Sequence, residues 1–418
     1  MTSRSITKLL SRRFATQQQQ QQFLEPPVLV KKNLAARHLI LNRPKRLNAL
    51  DMEMVDIIYP NLKAWEESDQ AHVIFMKGIG RALCAGGDVK DVVNQLKDPQ
   101  RISNLEHQID TEYEMIHFLG TMKTPYVAVM DGITMGAGGG ISCLGPFRIA
   151  TENTQFAMPE TAIGLFCDVG ASFFYSRLDG QLGRYMGLTS RIVKAEDALF
   201  SGIATHFVPS SRLEELESRL AEIDEPSHDL VHTTIEEFAV NKDHTPQTYT
   251  LHGEHRLIID KCFQYNTVEA IVNALKEDGS KFALDTLDTM MKRSPTSLKF
   301  ANDFVEGVTS HVIHKKPPRW SPKKIEDLNL HDDIRTKFFH ANIRRRLNFR
   351  NNEDYYLHPY RRYALPSEKE ILDAKRLHDL QTAEETVQWF NNDRNDKFGI
   401  RQKVLDVLAR ESSSLSSK

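Results

Sequence analysis

From Pro27 to about residue 208, short apolar runs alternate with longer segments whose apolar positions recur at helical spacing. His38-Leu39-Ile40-Leu41, His72-Val73-Ile74-Phe75-Met76, Tyr126-Val127-Ala128-Val129-Met130 and Phe147-Arg148-Ile149-Ala150 predict strands, and the Arg43-Pro44 step ends the first. Met54, Ile57, Ile58, Leu62 and Trp65 share one side of a helix. So do Ile109, Met115, Ile116 and Leu119, in a helix from about 103 to 119 that also carries Glu106, Glu112 and Glu114. Asp88 stands at an N-cap position ahead of Val89, Val92, Val93 and Leu96, and capping is its ordinary role there. Strands separated by helices from about 37 to 208 predict an α/β core. Beyond Pro209 the pattern is helical and charged, with helices over about 212–223 and 229–240, a polar linker through Thr250, and helices over 268–275 and 282–291. Past Lys315 the chain is rich in Pro, Lys and Arg and poorer in core positions. This places a boundary near 316–322 and an extension beyond it that either packs on the main body or projects from it.

The 418 residues suit a main domain with appendages, and a formal net charge of −2 argues against a dedicated nucleic-acid binder. Cys84, Cys143, Cys167 and Cys262 form neither a zinc motif nor a disulfide framework, which fits a reducing compartment. No apolar run approaches the roughly 18 residues of a membrane span. At the N-terminus, Arg4, Lys8, Arg12 and Arg13 precede any acid, and Ile6, Leu9, Leu10 and Phe14 can gather on one side of a helix. That pattern predicts a mitochondrial presequence and a matrix location; its alternative is a disordered basic tail. The tract Gln17 to Gln22 reads as a spacer.

Candidate chemistry concentrates between Asp131 and Asp168. The turn Gly136-Ala137-Gly138-Gly139-Gly140 allows close approach of backbone to a ligand, or simply makes a tight strand-to-helix connection. Glu160 and Asp168 stand among Phe156, Met158, Ile163, Leu165 and Phe166, where a carboxylate is costly to ionise and so is a candidate acid, base or nucleophile. The alternative is a surface glutamate after Pro159. The sequence contains no GxxxxGK[ST], HExxH or GxSxG pattern.

Leu41-Asn42-Arg43-Pro44 with Leu47-Asn48-Ala49-Leu50, then Leu83 to Val89, then Asp131 to Gly136, in that order and spacing, resemble the crotonase (enoyl-CoA hydratase/isomerase) superfamily. Ala157 to Phe166, Asp168-Val169-Gly170 and Gly202-Ile203-Ala204-Thr205-His206 narrow the resemblance to its 3-hydroxyisobutyryl-CoA hydrolase branch, over roughly residues 27–295 and a piece near 304–320. The resemblance implies an α/β fold, a crotonase-like spiral of ββα turns with a helical C-terminal region and an extended basic tail. The corresponding division is presequence and spacer 1–26, core 27–225, a shortened helical region 226–320 and a C-terminal extension 321–418. It also implies an acyl-CoA substrate, with CoA as part of that substrate and no metal or further cofactor, and backbone N–H groups of Gly87 and Ala137 directed at the thioester oxygen. The family usually has Gly where Ala137 stands. Glu160 would be nucleophile or general base, Asp168 would orient the substrate hydroxyl and modulate Glu160, and Glu112 would line the pocket unless it lies on a solvated helix face. Superfamily hydratases carry a second glutamate where this chain has Gly140, which disfavours hydration chemistry.

Three departures stand out. Phe166-Cys167-Asp168 replaces the branch's Phe-Pro-Asp, so Cys167 is either a substituted turn residue or a thiol nucleophile. After Ser294 to Lys299 the branch continues through further helices, whereas here Asp303 to Val308 follows at once. Beyond Pro318-Arg319-Trp320 the chain runs on through Arg344-Arg345-Arg346, Phe349-Arg350, Tyr355-Tyr356 and Tyr360-Arg361-Arg362-Tyr363. Basic residues interleaved with aromatics suit RNA, or form a solvated and partly docked tail. The tail resembles the extension of fungal mitochondrial members that joined the small ribosomal subunit. The expected activity is therefore hydrolysis of the thioester of 3-hydroxyisobutyryl-CoA, the alternative being a protein of the mitochondrial small ribosomal subunit that contacts rRNA through its extension.

Overall fold

The computed structural model describes residues 25–299, 347, 349–351, 353 and 355–416. Most of the presequence and spacer, the abrupt junction after Lys299, Pro318-Arg319-Trp320 and Arg344-Arg345-Arg346 lie outside the described residues.

Six strands form the larger sheet in the order β1 (Val28–Asn33), β2 (Ala36–Leu41), β3 (Val73–Gly78), β5 (Tyr126–Met130), β7 (Phe147–Ala150), β10 (His206–Phe207). Only β1 and β2 pair antiparallel; the other neighbours are parallel. A smaller sheet has the order β4 (Ala82–Cys84), β6 (Ile133–Met135), β8 (Gln155–Ala157), β9 (Val193–Lys194). Strand pairs β3/β4, β5/β6 and β7/β8 each give one strand to each sheet, and helices Val89–Leu96 and Ala137–Cys143 follow the first two pairs. This is the expected ββα spiral.

Central parallel strands are covered on both faces, so their sequences are almost wholly apolar. Alternation still sorts them. Ile74, Met76, Tyr126, Ala128 and Met130 enter the main core. Phe75, Val127, Val129, Phe147 and Ile149 face a second core completed by Leu216, Leu220, Val231 and Ile235 of helices Leu213–Ala221 and His228–Phe238. The four predicted strands are all present. Sequence reading missed the smaller sheet, whose members of two or three residues are too short to show a period, and helix Gly253–Phe263, which begins in the stretch after the polar linker. Asp88 caps as expected by accepting from Asp91 N–H, and it also binds Arg43 and Arg46 at 2.9 and 2.7 Å.

The extension packs on the body. Helices Glu368–Leu377, Ala383–Asp393 and Ile400–Ser416 place Ile371, Val387, Phe390, Ile400 and Val404 in the main core. The first two open with capping boxes, Ser367/Glu370 and Thr382/Glu385. Buried Arg256 and Arg410 meet on Glu368 at 2.7 and 2.6 Å, and Lys403 binds Asp179 at 2.7 Å. Much of the basic and aromatic run is committed to these contacts: Tyr363 is 2% exposed, Arg361 pairs with Glu370 and Arg362 with Asp229.

Packing is tight in the glycine turn, where a Cβ on Gly138 would lie 2.3 Å from the carbonyl oxygen of Cys84. Gly138→Ala is expected to cost about 1–3 kcal/mol, read as a lower urea midpoint at unchanged slope.

Candidate active site

Two turns with left-handed backbone meet at the heart of the site. Gly86 has φ of 109° and Gly136 of 52°. A Cβ on Gly136 would lie 3.3 Å from Gly86 Cα and 3.0 Å from Glu160 Oε1. Leu50 bridges the first turn, its N–H donating to Gly86 O at 2.8 Å and its C=O accepting from Asp88 N–H at 2.7 Å. In a parallel bridge of that kind the residue opposite, Gly87, turns its own N–H away from Leu50. A Cβ on Gly87 would meet nothing within 4 Å, so the space beside it is open. Ala137 is buried and is the first residue of helix Ala137–Cys143, so its N–H has no acceptor within the helix.

Glu160 opens the single helical turn Glu160–Ala162 after Pro159 and is 4% exposed. Its Oε2 has no hydrogen-bond partner among the described residues. Burial, reinforced by the charge of Asp168, pushes its carboxyl up to about 8. Glu112 lies on helix Ile102–Thr121, half-buried, and the same two causes push it up to about 8. It shares a cavity of about 60 Å³ with Gly87, Leu50 and Asp88, which excludes the freely solvated helix face. Asp168 is raised by burial, but Tyr113 O–H donates to its Oδ2 at 2.8 Å and opposes the rise. The three carboxyls are thus close enough to repel, yet among the described residues no hydrogen bond joins them. Tyr113 escaped sequence reading because no motif marks it; the available signal was its place on the same side of the helix as Ile116 and Gly120.

Cys167 stands beside Glu160. Burial and the carboxyls of Glu160 and Asp168 push its thiol well above the ordinary range, which opposes a thiolate nucleophile. Gly140, where a second glutamate would be needed for hydration, has no room for one: a Cβ there would lie 2.7 Å from Val169 Cβ and 2.9 Å from Ile116 Cδ1. Far from these residues in sequence, His206, His232 and Glu236 bring candidate metal-ligand atoms within 4.8 Å of one another. Lys397 donates to Glu236 and supplies the positive charge at that cluster.

Two interleaved sheets wound as ββα turns, with a glycine crossover leading to a buried glutamate, constitute the crotonase fold. The chain belongs to the enoyl-CoA hydratase/isomerase family, whose model, described as enoyl-CoA hydratase/isomerase, matches residues 36–302. It is 38% identical to the small ribosomal subunit protein mS47 of Neurospora crassa over 90% of this chain and 83% of that protein. It is 40% identical to the mitochondrial 3-hydroxyisobutyryl-CoA hydrolase of Gallus gallus over 72% of this chain and 86% of that protein. Among solved structures, a carnitinyl-CoA dehydratase from Mycobacterium thermoresistibile superposes with a TM-score of 0.69 at 29% identity, over 78% of this chain and 99% of that one.

A carboxyl raised by folding holds its proton in the native state after the unfolded chain has lost its own. The contribution of Glu160 to stability is therefore full below about 4.5 and declines as pH rises to about 8. Chemical denaturation across that window is expected to show a negative slope that Glu160→Gln reduces. Asp168→Asn, by removing the repelling charge, is expected to move the ionisation of Glu160 to lower pH, read by carbon-detected NMR of labelled glutamate.

Proposed function

We propose that this chain hydrolyses an acyl-CoA thioester, 3-hydroxyisobutyryl-CoA, in the mitochondrial matrix, with CoA entering as part of the substrate and no metal required. The observation that carries this reading is buried Glu160 beside the glycine turn, with the second-glutamate position filled by Val169 and Ile116. The hydrolase relative covering 72% of this chain agrees with it.

In the general-base route, ionised Glu160 takes a proton from water as the water oxygen bonds to the thioester carbon. The carbonyl electron pair moves onto oxygen, where the N–H groups of Gly87 and Ala137 stabilise it, each such donor being worth about 2.7–4 kcal/mol in a dry site. Collapse re-forms the carbonyl, breaks the C–S bond and releases CoA thiolate, which recovers the proton from Glu160. In the nucleophilic route Glu160 itself bonds to the carbon, CoA leaves, and water opens the resulting anhydride. Asp168 accepts from the substrate hydroxyl, and Glu112 lines the space beside Gly87.

Glu160→Gln is expected to lower CoA release by about 10²–10⁴-fold, measured with a thiol reagent, and unchanged release would refute the assignment. For the wild type kcat/KM should rise with pH through about 8, as the required carboxylate forms. Single turnover in ¹⁸O-water tests the routes: water adding to the glutamyl carbonyl of the anhydride labels Glu160, whereas the general-base route puts the label in the product alone.

A second reading, a protein of the mitochondrial small ribosomal subunit with or without activity, is favoured by one observation. The mS47 relative aligns over 90% of this chain and so into the extension, whereas the hydrolase relative covers 72%. Cosedimentation of the tagged protein with mitochondrial small subunits, unaffected by Glu160→Gln, is its expected outcome. RNA contacts would then fall on exposed residues such as Tyr356, at 91% exposure, rather than on buried Tyr363.

A further inference from the structure

Asp168 borders a second, larger space. Helix Ile102–Thr121 presents Tyr113, Ile116 and Gly120 to it, and Phe166, Val169 and Phe173 stand opposite, around a chamber of about 510 Å³. The third wall is a strap from the extension that includes Phe349, Tyr355, His358 and Pro359. These residues lie outside the 36–302 that match the family model.

The strap is held at several points. Phe349 stacks on His117 with ring centroids 4.2 Å apart, and Asn351 Nδ2 donates to Thr121 Oγ1 at 3.1 Å. Arg177 donates through Nε to Tyr356 O at 3.1 Å and through Nη2 to Tyr355 O at 2.8 Å, while its guanidinium lies 3.6 Å over the Phe173 ring. Arg177 is therefore one of the clamps between strap and body. Asp168 Oδ2, which accepts from Tyr113 O–H at 2.8 Å, borders the chamber, and His117, Thr121, Ser172, Glu353 and His358 line it elsewhere. The remaining wall is largely apolar.

A four-carbon hydroxyacyl group held at Asp168 leaves most of this chamber empty, because spaces of roughly 300–1,000 Å³ take drug-sized ligands. Each further methylene entering an apolar space gains roughly fourfold in binding. We propose that the chamber takes the distal end of an acyl chain, so that the protein also hydrolyses straight medium-chain acyl-CoA thioesters such as octanoyl-CoA. Arg177 and the strap set the length limit. The proposal rests on the hydrolase reading above and uses the same bond changes, water adding to the thioester carbon and CoA leaving as the thiol.

The test is kcat/KM for butyryl-, hexanoyl-, octanoyl- and dodecanoyl-CoA, with octanoyl-CoA binding to the Glu160→Gln protein measured by calorimetry. Wild type should rise toward octanoyl-CoA and fall at dodecanoyl-CoA. Ser172 is exposed and lines the chamber. Ser172→Phe should lower octanoyl-CoA turnover and binding about tenfold while butyryl-CoA changes less than about twofold. Arg177→Ala should relax the limit, raising dodecanoyl-CoA relative to octanoyl-CoA. Equal effects on short and long chains, or no length dependence in the wild type, would overturn the proposal. Length-dependent binding without turnover of any thioester would keep the chamber as an acyl site and overturn the hydrolysis.

Discussion

The site depends on a contact that only a residue without a side chain permits. Helix Ala137–Cys143 approaches strand β4 so closely that the space where a Cβ of Gly138 would sit is taken by the Cys84 carbonyl. That approach sets the Gly136 turn against the Gly86 turn and brings both beside Glu160. Backbone N–H groups, unlike side chains, cannot reach for a ligand; they are placed by the path of the chain alone. A close helix-to-strand crossing is therefore what turns two ordinary loops into a potential anion cradle, and the other parts of the site inherit their positions from it.

Around that crossing the electrostatics work against ionisation. Glu160, Glu112 and Asp168 crowd a region with few compensating charges, and the first two retain protons well beyond the ordinary carboxylate range. Asp168 is also raised by burial, and Tyr113 opposes that rise by donating to it. A carboxyl able to abstract protons near neutrality thus results from burial rather than from a cationic partner.

The legibility of these features in the sequence follows from their physics. The central strands were readable because both faces are covered, and Glu160, Asp168, Gly87 and Ala137 could be named as candidates because they sit in ordered motifs. Glu112 needed the fold, since its helix offers both wet and dry faces. Tyr113 was marked by nothing but its side of the helix, and the small sheet by nothing: the one acts through a contact 55 positions away in the chain, and the other is made of strands too short to carry a period. The interleaved Arg and Tyr of the extension were legible as composition but not as placement, because an arginine that faces phosphate and one that pairs with Glu370 look alike until the helix containing Glu370 is placed.

The pairing of Asp179 with Lys403 spans 224 positions, and Glu368 draws together Arg256 of the helical region and Arg410 of the extension. Such long loops close late and slowly. A chain of this design cannot complete its interior while its last segment is still being synthesised or threaded through a translocation pore. Until that segment arrives, Arg256 waits for its glutamate, and the nascent protein offers chaperones an unfinished surface.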